Sequence, residues 1–262
     1  MNILFIGDVV GRAGRQVLAQ TLDRLVDHHQ VDLIVVNGEN AAAGFGLTAD
    51  IVREFFDLGV DVITTGNHIW DKKEIYDTLD REPALLRPAN YPEGLPGRGV
   101  GVYSTSAGIK VGVINLEGRV FMKNLECPFR EADRLIEQIR GETRIILVDF
   151  HAEATSEKVA LGHYLDGRVS ALVGTHTHVQ TADEYIMAGG TAYITDAGMT
   201  GSLDAVIGIR KELAIERFLT QLPVRFEVAK KDPVLCGVLF AIDEKTGRAT
   251  GVSRVREELV SR

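Results

Sequence analysis

Five short segments of the chain carry residues suited to metal chemistry: Gly7-Asp8, Asn37-Gly38-Glu39-Asn40, Gly66-Asn67-His68, His151 with Glu153, and Gly174-Thr175-His176-Thr177-His178. Neutral imidazole, carboxylate and amide oxygen together suit divalent transition ions such as Mn, Fe or Zn, and no thiolate takes part. A carboxylate such as Glu39 can bridge two ions with its two oxygens, and ions about 4 Å apart form a clamp for phosphoryl displacement. Each segment alone is ambiguous. A single Asp or His after a strand is more often a turn residue or a satisfied polar group. Asn40 and Asn67 could cap the segments that follow, and His176 with His178 could sit on one side of a strand end, bonded to backbone. Five separate strand ends carrying such residues together favour a metal site.

Distant segments need elements that bring them together. Apolar runs alternate with amphipathic stretches through most of the sequence, the pattern of an α/β protein. The runs predict strands over 3–6, 33–36, 60–64, 145–149 and 171–173, and one of the five segments follows each. In open α/β sheets, ligands bind in the crevice outside the carboxyl ends of the strands, so these residues would converge there. Glycines before Asp8, Glu39, Asn67 and His176 suit the tight turns this requires. A helix is expected over 14–27, where Val17, Leu18, Leu22, Leu25 and Val26 recur at helical spacing. A second spans 49–59, with Thr48 as its N-cap and Gly59 at its end. Others follow around 72–79, stopping before Pro83, over 130–140, and around 159–165. Alternating runs on either side of Ser106, Ala107 and Gly108 read as a hairpin, and the tail reads as another turning at 244–247. The expected arrangement is two mixed sheets packed together with helices outside; periodicity alone leaves a doubly wound single sheet open.

Residues near the motifs have two readings each. The loop 41–47 contains a Gly-x-Gly but neither the dinucleotide fingerprint nor the Walker lysine. Phe45 at its tip either stacks on a base or folds back on the core. Asp71, Glu153 and Asp196 either orient ligand histidines or are solvated loop carboxylates. His28, His29 and His163 follow no strand and are expected at the surface.

Composition narrows the class. A chain of 262 residues, 45% of them hydrophobic, is enough for a full core. The net charge of −8 argues against gripping long nucleic acid through a basic surface, whereas bound metal ions would leave small phosphorylated substrates open. The N-terminal run MNILFIGDVVGR reads as a first strand and not as a signal peptide. No stretch approaches the roughly 20 apolar residues that span a bilayer. Cys127 and Cys236 are expected to be buried free thiols in a reducing compartment, which suggests a cytoplasmic protein.

The ordered motifs resemble the calcineurin-like metallophosphoesterase superfamily: an early Asp, a metal-bridging acid, Gly-Asn-His, a lone His, then Gly-His-x-His, for which this chain has Gly174-Thr175-His176-Thr177-His178. Two positions depart from it. Val10 stands where the superfamily usually has a His, and Glu39 where it usually bridges with Asp; Asn40, beside Glu39, could replace the missing ligand. Those departures, with GDVVGRAGR, NGENAAAGFGLT, TTGNHIWD, DFHAEATSEK and DAGMTG, resemble the bacterial YmdB-like branch over nearly the whole chain. The resemblance implies one domain over 1–262, a four-layer αββα sandwich of two mixed β-sheets flanked by helices, and a binuclear iron or manganese site. It implies hydrolysis of a small phosphodiester, favouring 2′,3′-cyclic nucleotides such as 2′,3′-cAMP. Asp8, Glu39, Asn40 and His178 would surround one metal, Glu39, Asn67, His151 and His176 the other, and His68 would be the catalytic imidazole. A phosphomonoesterase or short-RNA nuclease with the same site, or a regulatory nucleotide sensor with slow turnover, are the rival functions. The segment 207–229 is not explained by a catalytic core, and a homo-oligomer contact is one use for it.

Overall fold

The computed structural model describes residues 1–259. Its first half runs β1 (Asn2–Ile6), α1 (Gly11–His29), β2 (Leu33–Asn37), α2 (Ala49–Asp57), β3 (Val62–Thr64) and, after a short 3₁₀ turn, α3 (Ile75–Arg81). There follow β4 (Val100–Ser104), β5 (Lys110–Glu117), α4 (Pro128–Ile139), β6 (Ile146–His151), α5 (Thr155–Leu165) and β7 (Ala171–Thr175). Short strands β8 (Tyr185–Ile186), β9 (Ala192–Ile194), β10 (Gly201–Ser202), β11 (Ala205–Val206) and β12 (Ile209–Arg210) lead to α6 (Lys211–Thr220) and the closing hairpin β13 (Pro233–Ile242) and β14 (Ala249–Glu258).

Two mixed sheets result. One is ordered β10-β13-β1-β2-β3, with β14 on β13; the other is ordered β4-β5-β6-β7-β9-β8. Within them β1, β2 and β3 are parallel, as are β5, β6, β7 and β9. Parallel neighbours require crossovers, which α1, α2, α4 and α5 supply. Strand alternation then sorts the side chains. Ile3, Phe5, Leu33 and Val35 face Val111, Val113, Leu147 and Val173 in a core between the sheets. The opposite parity, Leu4, Ile6, Ile34 and Val36, packs under Val17, Leu18, Leu22 and Leu25 of α1. Ile114, Val148, Phe150 and Leu172 pack likewise under Leu135, Ile136 and Leu161 of α4 and α5. Helix, sheet, sheet, helix is the four-layer sandwich the resemblance implied.

Boundary differences have local causes. β6 runs on to His151 and β7 to Thr175, past the apolar runs, because ladder hydrogen bonds are made by backbone whatever the side chain. Helix α1 starts at Gly11 and not at residue 14. Glycine disfavours helix interiors, but a Cβ on Gly14 would lie 2.1 Å from the Thr200 carbonyl oxygen, so packing demands it there. The helix expected around 72–79 lies at Ile75–Arg81, after the 3₁₀ turn Ile69–Asp71. Both expected hairpins form, β4 with β5 and β13 with β14, the second with a register shift at Ala241/Ile242. Cys236 is buried, and burial pushes its thiol up to about 11, but Cys127 is only half-buried, contrary to expectation; both are free. His28 and His163 are exposed and His29 is half-buried. No helix among the described residues is long and apolar enough to cross a membrane.

Candidate metal centre

The core between the sheets changes character toward the carboxyl ends of the strands. Inward positions that begin as Leu33, Val62, Val113, Leu147 and Ala171 continue as Asn37, Thr64, Asn115, Asp149 and Thr175, all buried. A buried apolar side chain contributes about 1.5–3 kcal/mol there, so polar residues at these positions forgo stability unless they are bonded. All their polar atoms are, except Asn115 Nδ2. Asp149 accepts from Thr64 Oγ1 at 2.5 Å, Thr175 Oγ1 at 2.8 Å and Asn37 Nδ2 at 2.9 Å. Asn115 Oδ1 accepts from the Thr65 amide at 3.0 Å, and Asn37 Oδ1 from the Glu39 amide at 3.2 Å.

On this floor stand the residues singled out in the sequence. Thr175 spends its proton on Asp149, so its oxygen accepts from His151 Nδ1 at 2.9 Å, which leaves His151 Nε2 to the site. That nitrogen lies 3.0 Å from Glu39 Oε2, from Asn67 Oδ1 and from His176 Nδ1. His176 Nε2 is 3.1 Å from Glu153 Oε2, which fixes Nδ1 as its inward lone pair. His178 Nδ1 donates to the Ile207 carbonyl at 2.9 Å, turning Nε2 inward to within 3.2 Å of the Asn40 amide. Asn40 Nδ2 donates to Glu39 Oε1 at 2.8 Å. A half-turn of that amide would present its oxygen to the same point. Asp8 Oδ2 accepts from the His176 amide at 3.1 Å, while buried Asp8 Oδ1 has no hydrogen-bond partner.

Two donor groups emerge, Glu39 with His151 and His176, and Asp8 with Glu39 and His178; within each, the ligand atoms lie within 4.8 Å of one another. Glu39 belongs to both, one carboxylate oxygen toward each side. His176 and His178 both adopt positive φ, 100° and 68°, strain of the kind that persists only where the surroundings impose it. Asp196 imposes it here. Held by buried Lys158 at 2.7 Å, it accepts from the Thr177 amide at 3.1 Å and the Thr177 hydroxyl at 2.7 Å, pinning the residue between the two histidines.

The arrangement fits cations. Burial raises the Asp8 carboxyl, against the pull of His178 and His151. Burial also opposes charge on Glu39 and on His151, yet their mutual attraction wins, holding Glu39 down at about 2 and His151 up at about 9. The buried acids thus demand positive charge beside them. Burial and the neighbouring His151 push His176 down to about 3, which keeps it the neutral imidazole a metal needs. Gly66 leaves the room: a Cβ there would lie 2.2 Å from Glu39 Oε2 and 2.3 Å from His151 Nε2.

His68 stands apart from both donor groups. Its Nδ1 pairs with Asp71 Oδ2 at 2.8 Å, and its ring meets Phe45 edge-on with centroids 5.0 Å apart. Both line a cleft of about 310 Å³, together with Glu39, Asn40, His176 and His178 and the apolar Ile207, Ile209 and Phe226. Of the acids left open by the sequence, Asp71 orients His68, Glu153 orients His176, and Asp196 secures the turn between His176 and His178. Asp149, Thr175, Asn115 and the Ile207 carbonyl were not singled out. Polar residues at inward strand positions were a readable signal for the first three; nothing in the sequence marks a backbone carbonyl.

Known proteins share this chain's length and shape. The family model for YmdB-like protein matches residues 4–255. The chain is 52% identical to a 2′,3′-cyclic-nucleotide 2′-phosphodiesterase of Bacillus subtilis (strain 168), over 97% of this chain and 96% of that one. A crystal structure of a hypothetical protein from Thermus thermophilus superposes with a TM-score of 0.92 at 42% identity, covering 98% of this chain and 99% of that one. A phosphatase from Mycoplasma pneumoniae does so with a TM-score of 0.92 at 35% identity, covering 98% and 93%. The chain therefore belongs to the family of YmdB-like proteins.

Proposed function

We propose that this chain is a metal-dependent phosphodiesterase that hydrolyses 2′,3′-cyclic nucleotides, with residues 1–262 acting as one catalytic domain. The observation that carries the reading is Glu39, whose two oxygens are shared between two converging donor groups. Asp8, Glu39, Asn40 and His178 would hold one ion, and Glu39, Asn67, His151 and His176 would hold the other. Nitrogen and oxygen donors without thiolate suit Fe or Mn. Bound ions would supply Lewis acidity, making water nucleophilic near neutral pH and offsetting phosphoryl charge.

The chain's own groups do the rest. Water adds to phosphorus, one ester bond of the five-membered ring breaks, and the departing ribose oxygen takes up a proton. His68 is the donor: Asp71 occupies Nδ1 and leaves Nε2 for the substrate. The buried network around Asp149 keeps His151 in its binding tautomer, as Glu153 does for His176 and the Ile207 carbonyl for His178, so little reorganisation accompanies the reaction. The name of the Bacillus relative supports the cyclic nucleotide as substrate. Free thiols support a cytoplasmic location. Phe218 and Leu219 on α6, 73% and 79% exposed, support a contact between copies of the chain, measurable by light scattering.

A substrate panel tests the function. Metal-loaded protein should turn over 2′,3′-cyclic nucleotides far faster than nucleoside monophosphates or short RNA. Comparable rates on monoesters would replace the reading with a phosphomonoesterase, faster cleavage of short RNA with a nuclease, and tight binding without turnover with a sensor.

A further inference from the structure

The cleft is lined by two chemically different sets of residues, and the reaction uses only the polar one. Besides the ligands it is lined by Phe45 from the loop after Glu39, Ile207 from the turn after β11, Ile209 at the start of β12, and Phe226 after α6. Ile207 is 52% exposed and Phe226 40% exposed, apolar side chains in contact with water at the mouth of an active site. Such surface gains when something apolar covers it.

Several polar groups along the cleft already have partners. Glu153 pairs with His176, the Thr177 hydroxyl with Asp196, and the Asn40 amide with Glu39 and His178. Backbone groups are spent as well: the Gly44 amide donates to the Asn40 carbonyl at 3.1 Å, the Phe45 amide to the Ala42 carbonyl at 3.3 Å, and the Ile207 carbonyl accepts from His178. A ligand portion reaching this side would meet carbon and two aromatic rings. Its own hydrogen-bonding edge would go unread.

We propose that Ile207, Ile209 and Phe226, with Phe45, form the base-binding wall of the site, and that this wall holds the nucleobase by stacking and apolar contact without reading its edge. This rests on the phosphodiesterase reading above. The wall is also tied to the metal centre, because Ile207, at φ 46°, supplies the carbonyl that orients His178. Stacking tolerates any base, since each has a π-face. A site that hydrogen-bonds its substrate rejects analogues by about 10⁴–10⁵, whereas an apolar pocket separates them by roughly 10–200-fold. The four 2′,3′-cyclic nucleotides should therefore differ in kcat/KM by at most about 200-fold.

The test pairs these four substrates with the base-free ester methyl ribofuranoside 2′,3′-cyclic phosphate, on metal-loaded wild type, Phe226→Ala and Phe226→Trp. Loss of one stacked ring should cost Phe226→Ala roughly 5- to 100-fold in kcat/KM on every nucleotide, mostly through KM. On the base-free ester the loss should be under about twofold, and Phe226→Trp should recover the nucleotides. Equal losses on nucleotides and the base-free ester, no loss on either, or a strong preference of the wild type for one base would each overturn the wall. Turnover of the base-free ester reports the phosphodiesterase reading separately: if wild type hydrolyses neither it nor any nucleotide, that reading fails and this one with it.

Discussion

Replacing Gly66 by Ala adds one methyl group at the point where the two donor groups meet, and its effect follows from geometry. The new Cβ would stand 2.2 Å from Glu39 Oε2 and 2.3 Å from His151 Nε2. Ordinary contact needs more than 3 Å, so Glu39, His151 or the backbone after β3 must move by about 1 Å; a misplacement of that size can cost about 10²-fold in rate. Overpacking of this kind destabilises by about 1–3 kcal/mol, which lowers the melting temperature by roughly 2–12 °C in a protein of this size. Gly66→Ala should therefore fold, lose one or both metals, and fall at least about 100-fold in kcat/KM. Gly59→Ala is the control: it too strains the backbone, at φ 86°, but nothing lies within 4 Å of its Cβ, so it should lose stability and keep activity. Calorimetry, elemental analysis and steady-state kinetics on the pair separate the effects. Gly66→Ala with full metal content and normal turnover would refute the claim that Glu39 and His151 converge on an ion beside Gly66.

Three further substitutions probe separate parts of the site. Glu39→Gln keeps the shape but loses the anionic oxygen that spans both groups, so metal content should fall and turnover collapse while the fold survives; two retained metals with normal rates would remove Glu39 as the bridge. His68→Ala should keep its metals, lose about 10²–10⁴-fold on 2′,3′-cyclic nucleotides, and lose much less on a nitrophenyl diester, whose leaving group needs no proton. Equal losses on the two substrates would reject the general-acid role. Asp149→Ala strips three buried donors of a charged acceptor and should cost about 3–5 kcal/mol in chemical denaturation. Through Thr175 and His151 it should also weaken metal binding by about 10–100-fold; unchanged metal affinity would show that the network supports only the fold.

Much of this architecture was legible because strand alternation and helical spacing are local. Val17, Leu18, Leu22 and Leu25 announce the stripe that α1 buries, and strand ends announce the crevice. What was hidden depends on neighbours distant in sequence. Gly11 and Gly14 obscured the start of α1 because the reason for Gly14 is the Thr200 carbonyl, from the other end of the chain. Strands β6 and β7 were read short because hydrophobicity stops before the ladder does, and the omitted residues, His151 and Thr175, are among those that build the site. For Asp71, Glu153 and Asp196 the sequence offers an orienting task but not its object, since what each carboxylate meets is set by loop geometry: His68, His176 and the Thr177 turn. The turn at Ile207 carried no readable signal: its task is performed by a carbonyl oxygen.

Metal titration tests the central claim most directly. Protein stripped by chelation should have no measurable turnover of 2′,3′-cAMP and a lowered melting temperature, because Asp8 and Glu39 are then buried side by side without cations. Adding back Mn or Fe should restore both, with activity reaching its plateau as elemental analysis counts two ions per chain. Full turnover by protein shown to be metal-free, or a plateau at one ion, would contradict a reaction run by two cations sharing Glu39.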